Sequence, residues 1–493
     1  MPSCDPAPPT PAAAARPGPR LRDRLRAACA LDLRSLALFR VALALCILTD
    51  LALRAPFLSQ HYSDDGFLPR HVLIEHVPEY VSPLALHLVS GSAAYQGALF
   101  ALAALAAFAL GLGHRTRLAT FLCWWLQLSL HMRDPFSLNG GNHQLRLALF
   151  WALFLPLGAR ASLDARGQPP PGSDRVSGIA PFALLVQVFL IYFCAGLAKD
   201  APQWLQMGNA LHWVMIDPDW THPLARVAAG HPEVLRVFTF ATVALELAAP
   251  FAFFVPAWNG ALRSLAVVSL VLLQLGIGLT MRLGVFPLVS IAVLLGLLPG
   301  GFWERFGGRR EARGPLAAGA RPAAGGWARA RELCAALSLV WVVAHNLDFW
   351  LEGLRLPAWF ARPGHALKLD QYWNMYHSVH RAQFRWDMLG TTASGEQVDL
   401  SHPGYGPRWA ERVQSLARDP FWRETASNLQ GGAGVFLRPE LAAFWCRQWN
   451  ADAPPAQRLV RVELFYVARY LRLSGEHAPW SARSEGEFRC SER

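Results

Sequence analysis

The chain has 493 residues, of which 53% are hydrophobic and only 16% charged. Soluble domains carry roughly 25% charged residues, so a water-soluble globular protein is excluded, and several apolar windows approach the roughly 20 residues that cross a bilayer. A net charge of +11 would by itself suggest nucleic acid, but the arginines sit in short loops between apolar runs, which reads as membrane topology and speaks against a nucleic-acid partner.

Residues 1–34 read as a disordered Pro/Ala segment followed by a basic amphipathic stretch, RLRDRLRAACALDLR. No short apolar region with a small-residue cleavage site is present, so this is a cytoplasmic tail and surface anchor rather than a signal peptide. A first span is expected near 35–53. The loop after it holds Asp64, Asp65, Glu75 and Glu79 and is expected to carry a short amphipathic helix at the membrane interface. A second span lies near Ala93–Leu112, and a third follows the basic turn HRTR and ends at Met132. The loop RDPFSLNGGNHQ leads into a fourth, LRLALFWALFLPLG.

After a basic loop at 160–175, a fifth span runs from Pro181 towards Lys199. Residues 200–233, with several Trp, Pro and His, read as interfacial helices or a re-entrant piece. Spans six to eight are expected near 235–256, 262–281 and 284–299, and a ninth ends near Asn346 after the Gly-rich basic loop 304–331. Beyond a Pro/Gly-rich linker the chain turns polar, with a hairpin in FRWDMLGTTASGEQVDL, a strand in LVRVELFYVARYL and helical stretches between them. The expected fold is an all-α polytopic membrane domain of about nine transmembrane helices, 35–350, with a C-terminal α+β extramembrane domain, 356–493.

With the N-terminus inside, nine spans put HRTR, the 160–175 loop and the 304–331 loop in the cytoplasm, as the positive-inside rule asks. The acidic first loop, NGGNH, Lys199 and the C-terminal domain then share the other face. Alanine richness and arginine bias look like GC-rich bacterial coding, so the expected location is a bacterial inner membrane with a periplasmic C-terminal domain. Eight cysteines include no CxxC and no Cys/His ligand spacing, and no metal is expected. Cys446 and Cys490 stand alone in the C-terminal region and can pair if that region meets an oxidising compartment.

Of the 46 Lys plus Arg, only Lys199 and Lys368 are lysines. A lysine ending a membrane helix is commonly a snorkelling anchor, yet arginine would anchor equally well and cannot give up its proton, whereas a desolvated lysine can become a neutral base. Asn139, Gly140, Gly141, Asn142 and His143 open the fourth span on the face of Lys199. The glycines permit close approach; Asn142 reads as a helix cap or a binding residue, and His143 as a structural junction or an active-site imidazole. Tyr192 and Trp204 lie nearby in sequence. Glu246, inside the sixth span, is expensive in hydrocarbon and marks either a pairing or a site residue. Asp50, Gln274 and Arg282, at span ends, are weaker signals. No hydrolase, nucleotide-binding or haem motif is present, so enzymology would run on lysine, histidine and a reactive substrate.

The stretches DPFSLNGGNHQLRLALFWALFLPLGARASLDA and QVFLIYFCAGLAKDAPQWLQMGNAL resemble the bacterial HTTM (horizontally transferred transmembrane) domain family, relatives of vitamin K-dependent gamma-glutamyl carboxylase. ELAAPFAFF, LGVFPLVSIAVLLGLLP and LDQYWNMY with WDMLGTTASGEQVDL fit the same family, so the likeness covers most of residues 30–400. The resemblance implies that Lys199 is the base that deprotonates reduced vitamin K or menaquinol, with His143 beside it. It implies a lyase in which the oxygenated quinol takes a γ-proton from glutamate and the carbanion takes up carbon dioxide. Partners so implied are the bilayer, a lipoquinone and a periplasmic protein substrate. Two departures stand out: NGGNH replaces a glycine-free Asn-Asn-His, and the C-terminal domain is shorter, which speaks against propeptide recognition of the animal type. The alternative is a non-catalytic membrane protein that binds lipid or quinone and scaffolds periplasmic partners.

Overall fold

The computed structural model describes residues 21–78, 82–305, 326–351, 355–379, 381–400, 420–432 and 434–490. The Pro/Ala tail, Glu79 and most of the Gly-rich basic loop lie outside them. Among the described residues, the main helices of the membrane body are α1 (Leu33–Arg54), α2 (Ala93–Leu112), α3 (Thr116–Arg133), α4 (Gly140–Ala152), α5 (Ile179–Leu197), α6 (Pro232–Ala248), α7 (Asn259–Thr280), α8 (Phe286–Leu295) and α9 (Gly326–Trp350). Among the described residues, six helical stretches are long and apolar enough to cross a membrane, namely those built on α1, α2, α5, α6, α7 and α9. The count of nine spans is therefore not reached by length and composition. Of the other three, α3 has 18 residues but carries Arg117, Gln127, His131 and Arg133, while α4 has 13 residues and α8 has 10, short of the roughly 20 a span needs. The reason lies in their position: α4 is buried along nearly its whole circumference, and α8 is largely buried. An interior helix has little lipid to match in thickness, so its length is set by its neighbours. Where lipid-exposed helices meet, small residues set the spacing; a Cβ on Gly111 of α2 would sit 3.2 Å from Ala44 of α1.

The body has two distinct ends. At one, the N-terminal segment, the 113–117 turn, the 158–178 loop and the start of α9 are joined by hydrogen bonds such as Asp164 to the amides of Arg115 and Thr116, and Glu332 to that of Ile179. At the other lie the NGGNH loop, the end of α5, the short helices Pro202–Leu205, Ala210–Met215 and Pro223–Ala229, and the C-terminal domain. These are the basic end and the domain end below.

The C-terminal domain is a four-stranded antiparallel sheet, β1 (Ala382–Thr392), β2 (Gln397–Asp399), β3 (Leu459–Tyr470) and β4 (Ser481–Arg489), in the order β2-β1-β3-β4. The hairpin and the strand expected from sequence both form, with Gly395 supplying the positive φ of the β1–β2 turn. β4, polar but for Ala482 and Phe488, has too weak an alternation to be read in advance. Helices α10 (Pro420–Asn428) and α11 (Leu437–Asn450) cover one face, and Cys446 is bonded to Cys490. The core under them holds Leu437, Leu441, Trp445, Val462 and Leu464, and also Phe67, Leu68 and Leu73 from the first loop. That loop was expected to lie on the membrane interface. Its apolar side instead docks the C-terminal domain, which gives that face a partner with more contact than lipid headgroups offer. The start of the C-terminal region also departs from a plain linker: Leu369 and Trp373 pack into the core of the membrane body.

Candidate functional site

Helix α5 ends at Leu197, and Lys199 follows on the first free turn. Gly196 explains what faces it. A Cβ there would come within 3.0 Å of Leu247 and 3.2 Å of the Glu246 Cβ, so glycine lets α6 approach closely enough to deliver Glu246. The Lys199 side chain is 2% exposed. Its Nζ donates to Glu246 Oε2 at 2.6 Å, to the Ala195 carbonyl at 3.1 Å and to the Met375 carbonyl at 3.4 Å. Three acceptors match the three protons of an ammonium group, and the Trp204 ring lies 5.3 Å from the nitrogen. The sequence pointed to a lone amine kept un-ionised by apolar surroundings. A carboxylate faces it instead, because burying either charge alone would cost several kcal/mol, on the order of what a partner restores.

Beside this pair is a cavity of about 330 Å³. Its walls are aromatic, with Trp204, Trp213, Trp220, Phe286 and Tyr376, and its polar groups include Asn139, Asp217 and Glu424. Lys199 does not line it; the amine touches Trp204 and Met375, which do. Trp204 donates through Nε1 to the Tyr376 carbonyl at 2.9 Å. Tyr376 has a φ of 58°, a strained region for a non-glycine residue, held by that bond on one side and by Lys199 on the preceding carbonyl. Arg381 and Arg423 stack on Trp213 and Trp220.

Two carboxyls at this cavity titrate away from their ordinary range. Burial pushes Asp217 up to about 6, against the Asp219 amide, which donates to its Oδ1 at 3.0 Å. Burial pushes Glu424 up to about 7, opposed by the neighbouring Arg423. Burial and the Glu424 charge also raise the Tyr376 hydroxyl.

The NGGNH loop is a capping device whose roles differ from those expected. Asn139, not Asn142, is the N-cap of α4, with its Oδ1 accepting from the Gly141 amide at 2.9 Å. Asn142 completes a capping box by accepting from the Asn139 amide at 3.1 Å. Gly141 is required by packing, since a Cβ would stand 2.5 Å from the Phe286 Cα. The other end of the Asn142 amide reaches Asp50 at 3.1 Å. Asp50 is a buried hub that also accepts from Arg54 at 3.0 Å and from Gln127 at 2.9 Å. Gln127 touches His131, and Arg146 lies 3.4 Å from the His131 ring while donating to the Lys368 carbonyl at 3.0 Å.

His143 belongs with this network. Its charged neighbours are Arg146, Asp370 and Lys368. Among the described residues no hydrogen bond or ion pair joins it to Lys199. The Met375 carbonyl that accepts from Lys199 and the Lys368 and Asp370 charges that act on His143 lie on one chain segment, 368–376. Tyr192 is likewise elsewhere, accepting from Gln274 at 3.2 Å in the core. Of the residues singled out in sequence, the structure gathers Lys199, Glu246, Trp204, Asn139 and Gly140 around Met375. Gly141, Asn142, His143 and Tyr192 support the helices behind. Asp217, Met375, Tyr376 and Glu424 were missed, and so was Arg54, the one of them with a local signal, an opposite charge four residues after Asp50 in one span.

A family model described as the HTTM domain matches residues 29–298. No curated protein and no solved structure matches the chain. The match takes in more than half the chain, including α1 to α8 and the Lys199–Glu246 pair, and so this multi-pass membrane protein belongs to the HTTM domain family.

Proposed function

We propose that the protein is a membrane enzyme using a reduced lipoquinone of the vitamin K or menaquinol class, with Lys199 and Glu246 acting together as its proton-accepting pair. One observation carries this reading: an amine–carboxylate pair is buried directly behind an aromatic-walled cavity at the junction of the membrane body and the C-terminal domain. The cavity's volume and ring-lined walls suit a flat headgroup. A reduced quinone, with oxygen, would supply the strong base that carboxylation or a related oxidation needs. The chain's own part is narrower. The couple Lys199–Glu246 can take up one proton in total, ending as ammonium beside carboxylic acid. Trp204 and Met375 form the wall that must yield for a ring oxygen to reach the amine. Arg146, donating to the Lys368 carbonyl, positions the segment bearing Met375, and Asn142 supports it through Asp50, Gln127 and His131, with His143 in the electrostatic field of Lys368 and Asp370. In this reading the C-terminal domain faces the periplasm of a bacterial inner membrane and presents a protein substrate for a lyase-type or oxidative step.

A second reading is favoured by a different observation, that Lys199 is already ion-paired and stands off the cavity surface. There the pair is a strut, and the protein binds lipid or quinone without turnover while holding periplasmic partners. Quinol-dependent oxygen uptake by the purified protein separates the two. Turnover in the wild type that is lost in Lys199→Arg and Glu246→Gln supports the enzyme. Equal turnover in all three removes the proton-accepting pair, and saturable quinone binding without any turnover supports the strut.

A further inference from the structure

We propose that Glu424, contributed by the C-terminal domain, is a second proton-exchanging group of the cavity, meeting a carbonyl or hydroxyl oxygen of a neutral flat-ring ligand. This rests on the ring-ligand reading above. Glu424 comes from α10 of the C-terminal domain, which is docked on the membrane body through Asn428, donating to the Phe136 carbonyl at 2.7 Å, and it lines the same cavity as Asn139 and Trp204. Its carboxyl has no hydrogen-bond partner among the described residues, while the terminal nitrogens of the neighbouring Arg423 are given to the Asp219 carbonyl at 2.9 Å and the Arg282 carbonyl and its guanidinium stacks on the Trp220 ring. A half-buried carboxyl without a partner is costly. A ligand oxygen placed between the rings would supply that partner.

The other charged or titratable groups around it are few. Arg423 shares its helix, Asp217 and Asp219 lie on the loop before Trp220, and Arg282 follows α7. Tyr376 and His377 lie on the segment that covers the Lys199–Glu246 pair. Of these, Glu424 and Asp217 are the two carboxyls in the cavity wall. Protonated, Glu424 donates a hydrogen bond to a ring carbonyl. Ionised, it takes the proton of a ring hydroxyl: the ring O–H bond breaks, the carboxyl O–H bond forms, and the electron pair stays on the ring oxygen. No electron transfer is involved. The cavity would then hold its ligand between a proton acceptor in the membrane body and a proton exchanger in the C-terminal domain, so neither part is sufficient alone.

The test is binding of menadione, a soluble naphthoquinone, to the full chain in detergent, followed by quenching of tryptophan fluorescence between about pH 5 and pH 9. Wild-type affinity is expected to fall about ten-fold, the equivalent of roughly one hydrogen bond between neutral partners, as pH rises through about 7. Glu424→Gln, whose amide donates at every pH, should bind with a flat profile, and Glu424→Leu should bind weakly throughout. A Glu424→Gln profile that still falls as in the wild type overturns the inference, because another group then titrates. So does wild-type affinity in Glu424→Leu, or a flat wild-type profile. If the wild type shows no saturable quenching at any pH, the ring-ligand reading itself fails, and this inference with it.

Discussion

Two buried arginines at the basic end and two buried cations at the domain end are satisfied differently. At the basic end, Arg40 gives its guanidinium to the carbonyls of Leu157 at 2.9 Å, Arg160 at 3.2 Å and Ala161 at 2.5 Å. Arg263 does the same with Ala28 at 3.2 Å and Ala30 at 3.0 Å. Neither has a carboxylate within ion-pair distance among the described residues. At the domain end, Lys199 meets Glu246 and Arg54 meets Asp50. The difference is one of exchangeability. A guanidinium held by carbonyls clamps chain ends and keeps its protons, while an amine against a carboxylate holds a proton that can move between two heavy atoms.

The comparison breaks most visibly at Lys199. Replacing Lys199 by Met strands Glu246 and should cost about 3–5 kcal/mol, read as a fall in the thermal unfolding midpoint in detergent. Lys199→Met with Glu246→Leu should recover most of that loss. If the single variant is as stable as the double one, the pair does not hold the domain end together. At the opposite end, Arg40→Met leaves three carbonyls without a donor and should cost about 2–3 kcal/mol. Menadione affinity should stay as in the wild type, since the clamp lies far from the cavity; a changed affinity would mean that the ends are coupled. Gly141→Ala sharpens the picture at the domain end, because the methyl would drive into the Phe286 backbone. A loss of about 1–3 kcal/mol is expected, with weaker menadione binding because Phe286 lines the cavity.

The smallest effect depends on pH. The raised Glu424 pKa means that the folded state holds its proton more tightly than the unfolded chain does. The associated stability is fully present below the ordinary value of 4.5 and is lost as pH rises through about 7. Glu424→Gln should therefore unfold at a higher temperature than the wild type above neutral pH and match it in acid. The expected gap is about 1–2 kcal/mol after allowance for screening by water in the cavity. A gap that appears in acid instead would reverse the sign and discard the explanation.

Much of the membrane body was legible because its signals are local. Apolar runs gave the helices, and the scarcity of lysine gave Lys199. Glu246 stood out because a carboxyl in a span needs a partner. The cavity was not legible, since its walls come from segments more than two hundred residues apart, and nothing near Glu424 in sequence marks it. The short α4 misled for a related reason: apolar composition does not distinguish a helix that faces lipid from one enclosed by other helices. His143 misled because a junction histidine looks the same whether it faces a cavity or, as here, a buried arginine and the chain segment beyond α9.

Residues 368–376 are threaded into the membrane body and give Lys199 one of its three acceptors. A ribosome makes this segment only after every helix of the body has been synthesised. Until then the amine lacks the Met375 carbonyl, and the cavity lacks Tyr376 and Glu424. Biogenesis thus has a built-in last step, in which the late third of the chain closes a pocket that the early part has left open. A chain cut short by proteolysis or stalling would expose that pocket to quality-control machinery.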